Sequence, residues 1–223
     1  MVETVFLGIN DAGEQIYSWL NSQGDVEVKA LLTEKEQLSL IKELEPELVI
    51  SAGFEHKVPE EIIDIPEKGI VNVHPSYLPF NKGSHPYIWS IIDETPAGVS
   101  IHYMSPEIDE GPIIAKKEVM VTPEDTGKTL YNRLTRTSVQ LFKDNWEKIS
   151  NGVDAKPQEE EGTTHYSREL EEISKLDLNE EITVGDFINR LRALTFPPHK
   201  SAYFELYGKK YFVEIDIREE DQS

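Results

Sequence analysis

Short apolar runs alternate with amphipathic stretches along the first third of the chain. Runs at 4–9, 26–32, 48–50 and 69–74 have the composition of buried strands, and stretches at 14–20 and 34–44 have the spacing of helices. Strands that alternate with helices usually form a parallel sheet, because each helix carries the chain back to the end where the next strand begins. The pattern therefore predicts an α/β fold with a Rossmann-like, mostly parallel sheet flanked by helices.

The rest of the chain contains fewer strands and more polar segments. We predict a helix at 87–92, strands at 98–104 and 113–121, a long amphipathic helix at 126–149 and a polar crossing at 151–162. Beyond the crossing we predict a helix at 183–194 with a Thr183/Asp186 cap, and strands at 202–206 and 211–217 around a glycine turn at 207–210. These elements predict a larger domain at 1–150 and a small α+β extension at 151–223 that ends in a β-hairpin.

Three polar residues stand out within this pattern. Asn72 and His74 end the strand at 69–74, and their spacing of two places both side chains on one face. Asp109 lies in the turn between the next two strands. In open parallel sheets, ligands gather at the carboxyl ends of the strands. An amide, an imidazole and a carboxylate suit the transfer of a one-carbon acyl group between two nitrogens, so we predict an acyl-transfer site.

Composition narrows the possible partners. The formal charge of −20, from 42 acidic and 22 basic residues, disfavours binding to nucleic acid or to an anionic membrane. The absence of cysteine excludes disulfides, thiolate metal sites and a cysteine nucleophile. No stretch approaches the roughly 18 apolar residues of a membrane span, and the amino terminus has no basic region followed by a long apolar run. We therefore expect a soluble, cytoplasmic protein.

Other chemistries remain open on the residues alone. His74, His102 and Asp109 could bind a metal ion, although no short histidine spacing supports this, and His102 is more typical of a residue that hydrogen bonds within its strand. Ser76 lacks the glycine-flanked turn of a hydrolase nucleophile. The segment at 8–13 lacks a phosphate-loop pattern and is expected to be a plain strand-to-helix turn. The remaining histidines lie in predicted loops without visible partners: His56, His85, His165 and His199.

The sequence around the three polar residues resembles the formyltransferases that use 10-formyltetrahydrofolate. The likeness is carried, in order and spacing, by 70–79, 82–83, 98–102 and 108–114. It implies that Asn72, His74 and Asp109 form the catalytic set and that the domain at 1–150 is catalytic. It also implies 10-formyltetrahydrofolate as the cosubstrate, without a metal.

Within this family, the chain looks most like the sugar N-formyltransferases that act on dTDP-linked 3- or 4-amino-dideoxyhexoses. Tyr77, Pro86, Trp89 and the segments 95–99, 125–131, 191–198, 202–204 and 209–211 carry this likeness. It implies a homodimer and a nucleotide-sugar substrate. The tail has carboxylate runs at 159–161, 171–172 and 219–221, which are unsuited to tRNA. The alternatives are another amine acceptor, either glycinamide ribonucleotide or methionyl-tRNA, and a folate-binding module without turnover.

The resemblance also suggests binding residues. For the folate these are Gly53, Phe54, Ile108 and Gly111. Cations that could meet a diphosphate are Lys82, Arg168, Arg190 and Arg192. Tyr166 and Phe196 could stack on a base, and Tyr77 is a further candidate for contact with the nucleotide sugar.

Overall fold

The computed structural model of the chain describes residues 1–158, 162–199 and 201–220. The elements up to β4 are β1 (Val2–Leu7), α1 (Asp11–Asn21), β2 (Val26–Leu32), a 3-10 helix (Lys35–Ser39), α2 (Leu40–Leu44), β3 (Leu48–Ser51), α3 (Glu60–Ile63) and β4 (Ile70–His74). The later elements are β5 (Lys82–Gly83), α4 (Pro86–Ile92), β6 (Gly98–Tyr103), β7 (Ile113–Glu118), α5 (Gly127–Asn151), β8 (Thr164–His165), α6 (Ser167–Ser174), α7 (Val184–Leu194), β9 (Ala202–Leu206) and β10 (Lys209–Val213).

Six strands form one mixed sheet in the order β2-β1-β3-β4-β6-β7. The first four strands of that order are parallel, and β6 runs antiparallel to both β4 and β7. Two further pairs lie outside this sheet, an antiparallel hairpin of β9 and β10 and a short parallel pair of β5 and β8. The predicted α/β fold, with a mostly parallel sheet and a terminal hairpin, is confirmed.

Apolar side chains cover both faces of the sheet. Along β1, Val5 and Leu7 belong to one buried cluster and Phe6 to another, because successive side chains of a strand point to opposite faces. Ile16 of α1 and Phe142 of α5 belong to the Phe6 cluster, and both are fully buried. Each such side chain contributes about 1.5–3 kcal/mol of burial free energy. The central strands are therefore a rigid support for residues at their ends.

Polar caps fix the starts of the main helices. Asn10 accepts a hydrogen bond from the Gly13 N–H at 2.8 Å, so the segment at 8–13 leads directly from β1 into α1. Thr183 accepts one from the Asp186 N–H at 3.1 Å, which confirms the predicted cap of α7. Caps of this kind stabilise a helix by about 1 kcal/mol each.

The extension is joined to the loops that follow the central strands. α7 packs against α4, and β8 pairs with β5. Lys156 and Ile113 exchange backbone hydrogen bonds of 2.7 and 3.0 Å, so the crossing continues the edge of the sheet. The predicted carboxylate run at 159–161 and Asp221 of the run at 219–221 lie outside the described residues. The domain boundary at residue 150 stays a prediction.

Some elements differ from the predicted pattern. The pattern does not predict α3 or α6, because α3 has only four residues and α6 has eight, of which only Leu170 and Ile173 are apolar. The hairpin turn is Tyr207-Gly208 rather than 207–210, and β10 ends at Val213 rather than at residue 217. Within the described ranges, no helix combines the length and the apolar character that a membrane crossing needs.

Candidate active site

Asn72, His74 and Asp109 lie together at the carboxyl end of β4. The Nδ2 amide of Asn72 donates to Oδ1 of Asp109 at 3.4 Å, and Nε2 of His74 lies 3.5 Å from Oδ2 of Asp109. Each carboxylate oxygen thus faces a different partner. Only 8% of the His74 side chain and 11% of the Asp109 side chain are exposed, so these contacts are shielded from bulk water.

His102 is a fourth member of this group. Register pairs Asn72 of β4 with His102 of β6, which places the two side chains next to each other. Nε2 of His102 lies 3.2 Å from Nδ2 of Asn72 and 3.4 Å from Oδ1 of Asp109. The expected hydrogen bond of His102 within its strand is present, since its Nδ1 lies 2.9 Å from the adjacent Tyr103 carbonyl oxygen. The contacts of Nε2 with Asn72 and Asp109 come in addition to it.

Gly83 supplies a further hydrogen bond to the carboxylate. Its backbone N–H donates to Oδ2 of Asp109 at 2.8 Å. The extension holds this segment in place, since the N–H groups of Lys82 and Ser84 each donate at 2.9 Å to the carbonyl oxygens of Thr163 and His165. Gly83 has a φ of +84°, and a Cβ at this position would collide with the His165 carbonyl oxygen. Glycine is therefore required here.

The surroundings set the charges of the site. Burial lowers the pKa of His74 below its ordinary value, and the Asp109 carboxylate offsets this only in part. At Asp109, burial favours the protonated form, but the imidazoles of His74 and His102 and the Gly83 N–H hold its pKa below the usual range. At neutral pH the site therefore contains an ionised aspartate beside a neutral imidazole. Such an imidazole can accept a proton, and the carboxylate can stabilise the cation that results.

The four side chains line a cavity of about 920 Å³, within the range of small-molecule sites. One part of its wall is largely apolar and comes from Gly53, Phe54, Val58, Ile63, Met104 and Ile108. Another part comes from α4, α5, α6 with its N-cap and the segment after α7, and includes Tyr87, Tyr131, Tyr166 and Phe196. Asp109 joins the two parts, because its loop belongs to the first and its Gly83 contact to the second.

All six histidines of the chain line this cavity: His56, His74, His85, His102, His165 and His199. The expectation that four of them are loop residues without partners is wrong for His165 in particular. Its ring stacks on Trp89 at a centroid distance of 4.0 Å and lies 3.0 Å from Asp93 and 2.9 Å from Glu169. His165 therefore links α4 to α6 beside the cavity.

Comparison with known proteins identifies the family. A family model described as Formyl transferase matches residues 14–145, which is more than half of the 223 residues. The chain belongs to the formyl transferase family. A second model, described as N-formyltransferase dimerization C-terminal domain, matches residues 169–219. The protein is thus an enzyme, and the resemblance seen in its sequence is confirmed.

Individual formyltransferases support the same assignment. The dTDP-4-amino-4,6-dideoxyglucose formyltransferase of Mycobacterium bovis is 36% identical over 178 residues, which span 78% of this chain and 74% of that protein. The structure of a sugar N-formyltransferase from Shewanella sp matches with a TM-score of 0.89 and 25% identity, covering 99% of this chain and 100% of the other. The formyltransferase PseJ from Anoxybacillus kamchatkensis, solved with UDP-4,6-dideoxy-4-formamido-L-AltNAc and tetrahydrofolate, matches with a TM-score of 0.66 and 30% identity, covering 76% and 88%.

Some of the predicted binding residues of this formyltransferase line the cavity, and others do not. Gly53, Phe54, Ile108, Tyr166 and Phe196 line the cavity. Gly111 does not contribute to the lining, because its backbone packs against the Tyr103 carbonyl group. Its role is to let the chain pass close to β6.

The predicted cations have other partners. Lys82 is buried and pairs with Glu110 at 3.0 Å, and the buried Arg192 donates to the carbonyl oxygens of Thr122 and Asp125 at 2.9 and 3.1 Å. Neither residue lines the cavity, so the structure argues against both as diphosphate ligands. In the sequence a cation committed to backbone carbonyls cannot be told from a free one.

Three other candidates also lie outside the cavity lining. Tyr77 has its ring under the Lys116 ammonium at 4.2 Å, Arg168 lies over the Tyr166 ring at 5.5 Å, and Arg190 pairs with Glu180 at 2.8 Å. A direct contact between Tyr77 and the substrate is not supported by this placement.

The metal alternative finds no support in the described part of the chain, where no group of three histidine, aspartate or glutamate side chains could hold a metal ion.

Proposed function

We propose that this formyltransferase moves a formyl group from 10-formyltetrahydrofolate to the amine of a dTDP-linked 3- or 4-amino-dideoxyhexose. The observation that carries the proposal is the convergence of Asn72 and His74 on the Asp109 carboxylate, within 3.5 Å, at the wall of a cavity large enough for small-molecule substrates. The acceptor class is supported by the names of the relatives, which include a dTDP-4-amino-4,6-dideoxyglucose formyltransferase.

The apolar part of the cavity wall fits a folate. Phe54, Met104 and Ile108 offer apolar surface for a pterin ring, and the backbone of the adjoining loops offers hydrogen-bonding groups for its polar edge. The bound cosubstrate would supply the formyl carbon and leave as tetrahydrofolate. The PseJ structure, which contains tetrahydrofolate, supports this choice of donor class.

The roles of the three residues follow from their charges. Attack by the acceptor amine forms a new carbon–nitrogen bond and places negative charge on the formyl oxygen. The Asn72 amide is the group that can donate to that oxygen as the charge develops. Neutral His74 accepts the proton that the amine must lose, and ionised Asp109 stabilises the imidazolium and fixes its orientation. Collapse of the intermediate then breaks the bond between the formyl carbon and N10 of the folate, and the proton held by His74 passes to N10, so that tetrahydrofolate leaves. No covalent bond to the enzyme is needed.

The aromatic part of the wall suits the nucleotide. The ring centroids of Tyr87, Tyr131 and Phe196 lie 5.3–5.5 Å from one another, and Nζ of Lys128 lies 4.6 Å from the Phe196 centroid. Such a cluster can stack on a base. Among the described residues that line the cavity, Lys57 is the only lysine or arginine. We therefore propose Lys57, in place of Arg192, as a cation for the diphosphate.

We further propose that the enzyme works as a homodimer. The match to a dimerization domain at 169–219 supports this, and so do the exposed aromatic rings of the hairpin: Tyr207, Tyr211 and Phe212 are 90%, 41% and 48% exposed. Apolar rings left open on a small hairpin are typical of a surface that a second subunit covers.

The test is a mass-spectrometric assay with 10-formyltetrahydrofolate and a panel of amines. The panel contains dTDP-3-amino- and dTDP-4-amino-dideoxyhexoses, glycinamide ribonucleotide and methionyl-tRNA. Addition of one formyl group to a dTDP-sugar supports the proposal and identifies the ring nitrogen. Formylation of another amine would support formyl transfer but reject a dTDP-sugar as the acceptor. Folate binding without any product would favour a non-catalytic module.

A further inference from the structure

Asp109 lies in a backbone conformation that needs support. Its φ of +54° is in the left-handed region, which residues with a side chain seldom adopt. The carboxylate has hydrogen bonds of its own, but these fix the side chain and leave the peptide groups of the turn free to move. A small rotation of this turn would carry the carboxylate away from His74.

Gln158, a residue of the extension, holds this turn in place. Its Nε2 amide donates to the Asp109 carbonyl oxygen at 2.7 Å and to the Gly111 carbonyl oxygen at 2.9 Å. One side chain thus bridges both ends of the turn. The backbone bridge between Lys156 and Ile113 lies two residues before Gln158 and anchors the segment that carries it.

The contact requires a side chain that donates two hydrogen bonds. Both partners are carbonyl oxygens, which only accept hydrogen bonds, so the NH₂ group must face them and the two N–H bonds are both used. The other end of the amide, Oε1, is buried without a hydrogen-bond partner in the described part of the chain. Burial of an unpaired acceptor is unfavourable. The two bonds to the turn are the interactions that offset it.

We propose that Gln158 is a positioning residue that fixes the Asp109 turn for catalysis. The inference rests on the proposed function, because it assumes that Asp109 acts on His74 during formyl transfer. Gln158 lies between the two matched family segments, 14–145 and 169–219. Through this contact a residue of the extension sets the geometry of a carboxylate in the larger domain.

The experiment compares Gln158→Met and Gln158→Glu in the full chain with the parent. Methionine keeps the length of the side chain and removes both donors, and glutamate places a carboxylate against two carbonyl oxygens. We expect kcat to fall by about 10–100-fold in both variants, because misplacement of a reacting group by about 1 Å costs a factor of this order. KM for both substrates should stay within about 2-fold, since Gln158 does not line the cavity.

Gln23→Glu is the matched control. Gln23 also donates Nε2 to a backbone carbonyl, that of Trp19 at 3.0 Å, but it lies at the end of α1 and outside the cavity lining. Its kcat should equal that of the parent. If the parent transfers formyl and both Gln158 variants keep its kcat, or if KM rises while kcat is unchanged, the positioning role is rejected. Failure of the parent to formylate any acceptor would instead reject the proposed function.

Discussion

The backbone N–H of Gly83 lies 2.8 Å from Oδ2 of Asp109, so a glycine of the β5 segment contributes directly to the charge state of the proposed catalytic carboxylate. This relationship depends on β8, which belongs to the extension and pairs with β5. The extension therefore does more than provide the proposed dimer surface. Through the β5–β8 pair, it also holds in place the segment that hydrogen bonds to the proposed catalytic carboxylate.

Gly83→Ala should impair both stability and turnover. Alanine at a φ of +84° would be strained, and its methyl group would meet the His165 carbonyl oxygen. The left-handed conformation alone costs about 1–2 kcal/mol. Gly152→Ala is the control, because Gly152 has a φ of +72° and open space around it. Thermal melting should show a larger destabilisation for Gly83→Ala, which adds the clash to the backbone strain that both variants share. A large loss of kcat is expected only for Gly83→Ala. Equal kcat values would exclude a role for the Gly83 hydrogen bond.

Asn72→Ala should lower kcat by about 100–1000-fold, the usual effect of losing one donor to a developing oxyanion. The melting temperature should change little, because Asn72 is only partly buried and its hydrogen bonds to Asp109 and His102 are long. Asn145→Ala serves as the control, since Asn145 donates Nδ2 to the Leu141 carbonyl oxygen on α5, outside the cavity lining. If Asn72→Ala turns over at the parent rate, Asn72 is not the donor to the oxyanion.

His102→Phe should lower kcat by about 10–100-fold through displacement of its neighbours. Phenylalanine fills a similar volume but removes the nitrogen that lies 3.2 Å from Asn72 and 3.4 Å from Asp109. The kcat of His102→Asn should lie between that of His102→Phe and that of the parent, because its shorter amide retains a group that can hydrogen bond. Steady-state kinetics with both substrates would test the effect, and an unchanged kcat in His102→Phe would make His102 a packing residue.

The pH dependence of kcat/KM should have an acidic limb below the ordinary histidine value of about 6.5. The sign follows from the lowered pKa of His74: the neutral form is the proton acceptor, so activity is lost only when the pH falls through that lowered pKa. In Asp109→Asn the carboxylate that raises the His74 pKa is gone, so the limb should move to still lower pH while the plateau falls. A limb at or above pH 6.5 in the parent would contradict a neutral, buried His74.

Thr163→Val should destabilise the protein, whereas Thr163→Ser should not. The Thr163 hydroxyl accepts from the Asn81 N–H at 2.8 Å and donates to Asn81 Oδ1 at 2.9 Å. Valine has the same shape without the hydroxyl, so the N–H of the buried Asn81 loses its partner at a cost of about 1–3 kcal/mol. The free energy of unfolding from urea titrations would measure the difference. Similar values for the two variants would mean that the shape of residue 163, and not its hydroxyl, joins the extension to the Gly83 segment.

The parts of the site that the sequence predicts are those with a local pattern. Asn72 and His74 follow from strand spacing, and Asp109 from its place in a turn between two strands. His102 enters the sequence analysis only as a possible metal ligand, because its contact with Asn72 depends on the register between β4 and β6, which no local period encodes. Arg192 is misread for a related reason, since its commitment to the Thr122 and Asp125 carbonyl oxygens arises only when α7 docks on the larger domain.

The fold follows the same rule. Strands β2 and β3 and the cap of α7 appear where the apolar runs and the Thr183/Asp186 pair predict them, because they depend on neighbouring residues. The pairing of β5 with β8 joins residues more than 80 positions apart through backbone groups alone. The side chains of two such short strands contain no pattern that predicts this pairing.

The six histidines that line one cavity provide intrinsic NMR signals that report on that cavity. Every imidazole of the protein adjoins that cavity. The imidazole Cε1–H region of a proton NMR spectrum would therefore contain six resonances, one from each histidine, and no background from distant surface histidines. Addition of folate or of a nucleotide sugar should shift separate subsets of these lines, so that each substrate could be followed into its own part of the cavity without an isotope label or a turnover assay.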